Sequence, residues 1–276
     1  MSVDIAERTL REGNVSEAIA RLQEQVRKTP ASAELRVFLF QLLAVAGEWD
    51  RALNQLDVAA DLDAKTLAMA QMYREALKCE TLRAGVFAGR KAPLVFGQPE
   101  QWLALLIEAL LAEGRGEHAK GQSLRSAAFE QAPASPGSID GKPFAWIADA
   151  DTRLGPVCEA IINGRYYWVP FERLARIAIE APTDLRDVVW MPAHFEFANG
   201  GEAVGVIPTR YPDSERADDD ALRLSRKTIW QETAPGVFRG LGQRMLTTDD
   251  VEVPLMDARD IRIGAAASNS TESARG

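Results

Sequence analysis

Two copies of one local pattern stand 34 residues apart near the start of the chain, and no other feature restricts its fold as strongly. The first copy is Gly13-Asn14-Val15-Ser16-Glu17-Ala18-Ile19, followed by Leu22 and stopped at Pro30. The second is Gly47-Glu48-Trp49-Asp50-Arg51-Ala52-Leu53, followed by Leu56 and Ala59. In each, a glycine suits the left-handed position that ends a helix, because it has no Cβ to clash there. The alanine five residues later suits the close crossing of two helices, where a larger side chain would push the axes apart. Proline at 30 ends the second helix, since it cannot continue the hydrogen-bond ladder.

A 34-residue period of this kind is that of tetratricopeptide hairpins. Leu35, Leu39, Leu42 and Leu43 recur at helical spacing between the copies and predict the first helix of the second hairpin. A weaker third copy starts at Gly114 and reaches Ala119, after a helical pattern through Trp102, Leu103, Leu106, Leu110 and Leu111. Residues 64–90 carry a helical pattern without the glycine and alanine, and predict a longer, irregular helix or helix pair. Arg90 to Pro93 is then a connection.

Gln131 to Lys142 is rich in Pro, Gly, Ser and Ala and marks a boundary, as a linker or an ordered crossover. Beyond it the apolar period changes to two. Val157–Ile162 and Arg165–Val169 flank Asn163-Gly164, the strongest short hairpin signal, because a type I′ turn needs positive φ twice. Val188–Phe197 and Ala203–Ile207 predict a second hairpin, and Gln243–Leu246 with Val251–Val253 a third. Phe171–Ile177 predicts a short helix, Tyr211–Asp220 a polar surface loop, and Asp219–Lys227 another short helix. The fold class is therefore α+β. A helical unit over 1–135 precedes an antiparallel β-rich unit with short helices over 136–263, and a disordered tail follows over 264–276.

Composition excludes several roles. The net charge of −8 and pI near 5.0 argue against a nucleic-acid binder, which needs a basic surface for phosphates. The opening residues lack the basic and apolar regions of a signal peptide. The apolar stretch from Trp102 to Leu111 is interrupted by Glu108 and is too short to cross a bilayer. A cytoplasmic protein without membrane contact is the expectation. Cys79 and Cys158 belong to no CxxC pair and read as reduced, partly buried thiols.

The search for chemistry finds little. His118 reads as a turn residue and His194 as a cross-strand polar residue. Asp149, Asp151 and Arg153 form a dense charged cluster; paired carboxylates can hold a divalent cation, but loop hydrogen bonding explains them as well. The same holds for Asp218-Asp219-Asp220. Gly236 to Gly242 is glycine-rich but precedes a strand, not a helix, so it reads as a bend or bulge. No catalytic motif, cofactor or metal set is named, and the chain reads as no enzyme. In Tyr166-Tyr167-Trp168, successive side chains point to opposite faces, so an aromatic faces outward unless both faces are covered.

Five stretches are more specific: Arg153-Leu-Gly-Pro156, Asn163 to Phe171 (NGRYYWVPF), Asp184-Leu-Arg-Asp187 with Trp190, Ile207 to Pro212 (IPTRYP), and Arg239 to Met245 (RGLGQRM). In order and spacing they resemble the ImpE family of type VI secretion accessory proteins, also called TagJ or SciE. The resemblance runs from about the first hairpin to Ile263. It implies a cytoplasmic, non-enzymatic adaptor. Such an adaptor binds a helix near the N-terminus of the small sheath subunit TssB and is linked, directly or through that contact, to the disassembly ATPase ClpV. It implies no individual contact residue.

Helical hairpin arrays receive a helix or peptide on the surface of their first helices. Here that surface includes Glu34, Val37, Gln41, Ala44 and Val45, and Tyr166 and Trp168 are further candidate contacts in the β-rich part. Alternatively, those helix positions pack against neighbouring helices. Two other functions compete: a metal-dependent or enzymatic regulator with its site near Asp149, Asp151, Arg153 and His194, or a structural homodimer that buries the aromatic sheet face.

Overall fold

The structure, a computed structural model, describes residues 8–10 and 12–264; the tail expected over 264–276 lies, beyond Gly264, outside them. The helical part comprises α1 (Val15–Lys28), α2 (Ala33–Val45), α3 (Trp49–Leu62), α4 (Leu67–Phe87), α5 (Gln101–Gly114) and α6 (His118–Gln131). Asn14 caps α1 by accepting from the Glu17 N–H at 2.9 Å, and Ser32 caps α2 by accepting from Leu35 N–H at 3.3 Å. Such caps satisfy N–H groups that have no intrahelical partner. The apolar faces meet in one core, where Leu22, Leu42 and Leu56 are fully buried. Each contributes about 1.5–3 kcal/mol relative to an exposed side chain.

The 34-residue frame is as expected: Gly13 and Gly47 take φ +84° and +72°, and Ala18 and Ala52 are buried. The third hairpin, α5–α6, follows the same plan two residues later than the sequence suggested. Gly116, at φ +81°, ends the turn, and the small crossing residue five positions on is Gly121. A Cβ at Gly121 would lie 3.0 Å from the Ala109 carbonyl oxygen of the paired helix. Gly114 and Ala119 are therefore not the equivalents of Gly47 and Ala52. Residues 64–66 form a 3₁₀ turn leading into the 21-residue α4, which matches the long irregular helix expected there.

The strands are β1 (Leu94–Val95), β2 (Gly137–Ile139), β3 (Lys142–Phe144), β4 (Ile147–Asp149), β5 (Val157–Ile162), β6 (Arg165–Pro170) and β7 (Leu174–Ile179). Then follow β8 (Trp190–Phe197), β9 (Glu202–Pro208), a short α7 (Asp220–Arg223), β10 (Thr228–Ala234), β11 (Val237–Gly242), β12 (Met245–Thr248), β13 (Glu252–Pro254) and β14 (Asp260–Ile263). Nine strands make one sheet in the order β1-β6-β5-β9-β8-β7-β14-β2-β3, antiparallel except where β1 runs parallel to β6. A three-stranded sheet, β13-β12-β4, and the ribbon β10-β11 complete the part.

All three predicted hairpins form. Asn163 and Gly164 take φ +49° and +72°, as the type I′ turn requires. Of the two readings of 131–142, linker or ordered crossover, the segment is ordered, with Gly137–Ile139 a strand between β14 and β3. Two expectations are corrected. Phe171–Ile177 is one 3₁₀ turn followed by the start of β7, which pairs with β8 and β14. Val237–Gly242 is a strand of the ribbon, not a bend before one. The loop after β9 is less superficial than its polarity suggests, since Tyr211 and Ser214 are fully buried.

The sheet is buried on both faces near β5. Val157 and Ile161 join the helical core, whereas Cys158, Ala160 and Ile162 join a second core with Ile139, Phe195, Leu246 and Ile261. Trp168 and Trp190 also belong to the helical core. One apolar cluster thus spans helices and sheet.

Candidate functional site

The inner surface of the hairpin array is the expected docking place, and α2 carries it. Glu34, Val37, Phe38, Gln41 and Val45 fall at helical spacing along one stripe. The stripe passes from solvent into the core. Glu34 is exposed, Val37 and Phe38 are half-buried, and Gln41, Ala44 and Val45 are buried. The chain's own β-rich part covers the closed end. Arg210, just after β9, donates to Ala44 O at 2.9 Å, Val45 O at 2.7 Å and Arg223 O at 2.6 Å. A cation suits that place, because the last carbonyls of a helix lack intrahelical partners and carry partial negative charge. Burial pulls the Arg210 guanidinium down to about 10. The expectation of an open groove at Gln41, Ala44 and Val45 is thereby corrected: what covers them is the sheet side of the molecule, not neighbouring helices alone.

Tyr166 and Trp168 are also corrected as surface contacts, for both are fully buried beneath α4. Trp168 Nε1 donates to Tyr166 Oη at 2.8 Å, and Tyr166 donates to Glu159 Oε1 at 2.5 Å. The aromatic sheet face that a homodimer would have buried is already covered within one chain.

Glu159 is the centre of the seam. It points from β5 toward α4 and is fully buried. Arg83 of α4 donates to both its oxygens, at 2.7 and 3.2 Å, and to Arg210 O at 2.8 Å. Arg244 bridges Glu159 and Asp149. Glu80 accepts from Arg83 at 3.3 Å and from Trp190 Nε1 at 2.8 Å. Burial opposes ionisation of Glu159, but the two guanidiniums outweigh it and hold the carboxyl down at about 2. A buried charge is tolerated only when so compensated. These groups bind helices to sheet.

The other chemical candidates resolve as structure. Asp151 grips Arg153 through two oxygens at 2.9 and 2.6 Å and accepts from Gly240 N–H at 2.9 Å. Asp149 accepts from Arg244, from Tyr211 Oη at 3.0 Å and from Asp151 N–H at 2.9 Å. Guanidiniums occupy the positions a cation would take, and among the described residues no group of three His, Cys, Asp or Glu is placed to hold a metal. His194 lies across from Val204 and meets Glu202 at 3.3 Å, a surface cross-strand pair. His118 starts α6. Cys79 and Cys158 are free and buried, and burial pushes both thiols up to about 12. Among the described residues no helix is long and apolar enough to cross a membrane.

The sequence reading missed Arg83, Glu159, Arg210 and Arg244. One signal was present. Glu159 interrupts the apolar run Val157–Ile162, and a carboxylate inside a strand buried on both faces needs a cationic partner.

Comparison with known proteins agrees with this architecture. A family model described as ImpE protein matches residues 141–262, and one described as tetratricopeptide repeat matches 9–77. A curated protein of Pseudomonas aeruginosa, "Type VI secretion system accessory component TagJ", is 53% identical over 259 residues, covering 93% of this chain and 90% of that protein. The crystal structure of protein VPA1032 from Vibrio parahaemolyticus superposes with a TM-score of 0.86 at 25% identity, covering 95% of this chain and 98% of that one.

Proposed function

Because the chain belongs to the ImpE family, we propose that it is a non-enzymatic adaptor of a type VI secretion system, a cytoplasmic protein that holds a helix near the N-terminus of the sheath subunit TssB and links the sheath to the ATPase ClpV. One observation carries the helix-holding part. On α2 the stripe of the hairpin array stays open at Glu34 and Val37, while its other end is sealed by Arg210. A partner helix enters from the open end and sets an apolar side chain against Val37 and Phe38, with a basic residue toward Glu34. Helix-in-groove contacts of this kind rest on a few apolar anchors at i, i+3 and i+4.

The test is calorimetry of the full chain with a peptide of the TssB N-terminal helix. Binding at about 1 μM, roughly −8 kcal/mol, supports the reading. Val37→Glu buries a charge in the contact and weakens binding at least tenfold while leaving the melting temperature unchanged. No heat with either the peptide or intact TssB refutes it. Co-precipitation of ClpV with and without TssB separates a direct from an indirect link.

A further inference from the structure

A second cleft lies on the seam, apart from the α2 stripe. It runs between the C-terminal half of α4, Trp49 at the start of α3, and the loop Pro212–Arg216, and encloses about 340 Å³. That is the low end of small-molecule sites and too narrow for a helix, whose diameter with side chains is about 10–12 Å. Its walls are unusual for a chain of net charge −8: five arginines, Arg83, Arg90, Arg153, Arg216 and Arg239, face three carboxylates, Glu80, Asp213 and Glu215.

Not all of these guanidiniums are committed inside the protein. Arg83 spends its donors on Glu159, Glu80 and the Arg210 carbonyl. Arg153 gives Nε and Nη2 to Asp151, and among the described residues its Nη1 has no acceptor. Arg239 gives Nη2 to Glu113, and its Nε is buried without a partner among the described residues. Arg90 is exposed, and among the described residues its side chain has no ion pair. Arg153 is also held in place. It is 4% exposed, paired at two points, and its guanidinium lies 4.8 Å from the centre of the Phe87 ring. A planar donor fixed in this way loses little freedom when an oxyanion arrives. Asp213 and Glu215 stand 3.6 and 3.7 Å from Arg216, Asp213 exposed and Glu215 largely buried, so the rim pairs only loosely and the fixed anion donors are those of Arg153 and Arg239.

We infer that this cleft binds a small polyanion bearing phosphate or carboxylate groups, with Arg153 and Arg239 at the floor and Arg90 and Arg216 at the rim. Trp49 lines the same cleft and reports its filling. The full chain is titrated with pyrophosphate and, separately, with citrate, following tryptophan fluorescence and melting temperature. At low salt, either probe gives a saturable change that added salt weakens, since exposed charges are screened. The double variant Arg90→Glu/Arg216→Glu, at exposed positions, folds normally and loses at least tenfold in affinity. Trp49→Phe removes the fluorescence change and keeps the thermal shift. The inference is overturned if neither anion gives a saturable response at millimolar concentration, or if the double variant binds like the parent. It is overturned in favour of an acidic protein segment if a Glu-rich peptide saturates the signal where both small anions fail. None of these readouts involves TssB.

Discussion

Glu159→Gln is the sharpest test of how this molecule is held together. The carboxylate is fully buried and is the shared acceptor of Arg83, Arg244 and Tyr166. Neutralising it leaves two buried guanidiniums competing for Glu80 and Asp149, and removal of one member of a buried ionic network costs about 3–5 kcal/mol. In a chain of this size each kcal/mol moves the midpoint by roughly 2–4 °C, so the melting temperature falls on the order of 10 °C. Urea unfolding monitored by fluorescence and by far-ultraviolet circular dichroism measures it directly, and both probes shift together because one core spans helices and sheet. The pH dependence adds an independent check. The folded carboxyl is held at about 2, below its ordinary value of 4.5. A depressed acid contributes stability that is complete above the unfolded value and is lost as pH falls through the folded one. The gap between parent and variant is therefore widest at neutral pH and narrows between about 4.5 and 2. A loss below about 1 kcal/mol at neutral pH, the size of a surface pair, or a gap that ignores acid, would refute the reasoning.

Other outcomes follow from single positions. Gly121→Val drives a branched side chain into the Ala109 carbonyl across the α5–α6 crossing; overpacking costs about 1–3 kcal/mol, read as a lower urea midpoint. Gly116→Val at φ +81° strains the turn ahead of α6 and lowers the melting temperature, whereas at Gly114 a Cβ is excluded by the close approach of the Ala88–Gly89 backbone. Cys79 and Cys158, buried and with thiols pushed up to about 12, do not react with a thiol reagent at neutral pH until denaturant is added; prompt modification of the folded chain would contradict their placement. Arg115→Ala, at a fully exposed pair with Glu117 and Glu108, leaves the melting temperature unchanged.

The parts legible in the sequence are those that local chemistry decides. Glycine at a left-handed turn, a small residue five positions on, and Asn-Gly between alternating runs each specify a hairpin by themselves. The third helical hairpin was misplaced by two residues because Gly121 fills the position where the first two copies have Ala18 and Ala52, and a glycine within a helix reads as a breaker. β7 was mistaken for helix because Leu174, Ile177 and Ile179 satisfy spacings of three and two at once, and periodicity over six residues cannot choose between them. The seam was illegible for a different reason. Arg83 meets Glu159 across 76 residues of chain, and Arg210 meets Ala44 across 166. Nothing local in either arginine says that it will be buried.

A groove closed at one end changes what an adaptor built this way can hold. An open tetratricopeptide array offers a partner the full length of its inner helices. Here the C-terminal turns of α2 are spent within the molecule, and Arg210 is tied to them through the Ala44 and Val45 carbonyls and to α7 through the Arg223 carbonyl. Displacing it would leave a buried cation and the last carbonyls of a helix without partners, a cost of several kcal/mol. That rivals the roughly 8 kcal/mol of a micromolar complex. A partner helix therefore gains nothing by opening the seam. In the complex proposed above it would lie across the open end, over about two turns of α2, and draw the rest of its contact from the exposed face of α1 or from the surface beyond. Affinity in such a geometry would come from a few anchors near Val37 rather than from length, so under the proposed function the block that closes the groove would also set where a partner helix enters.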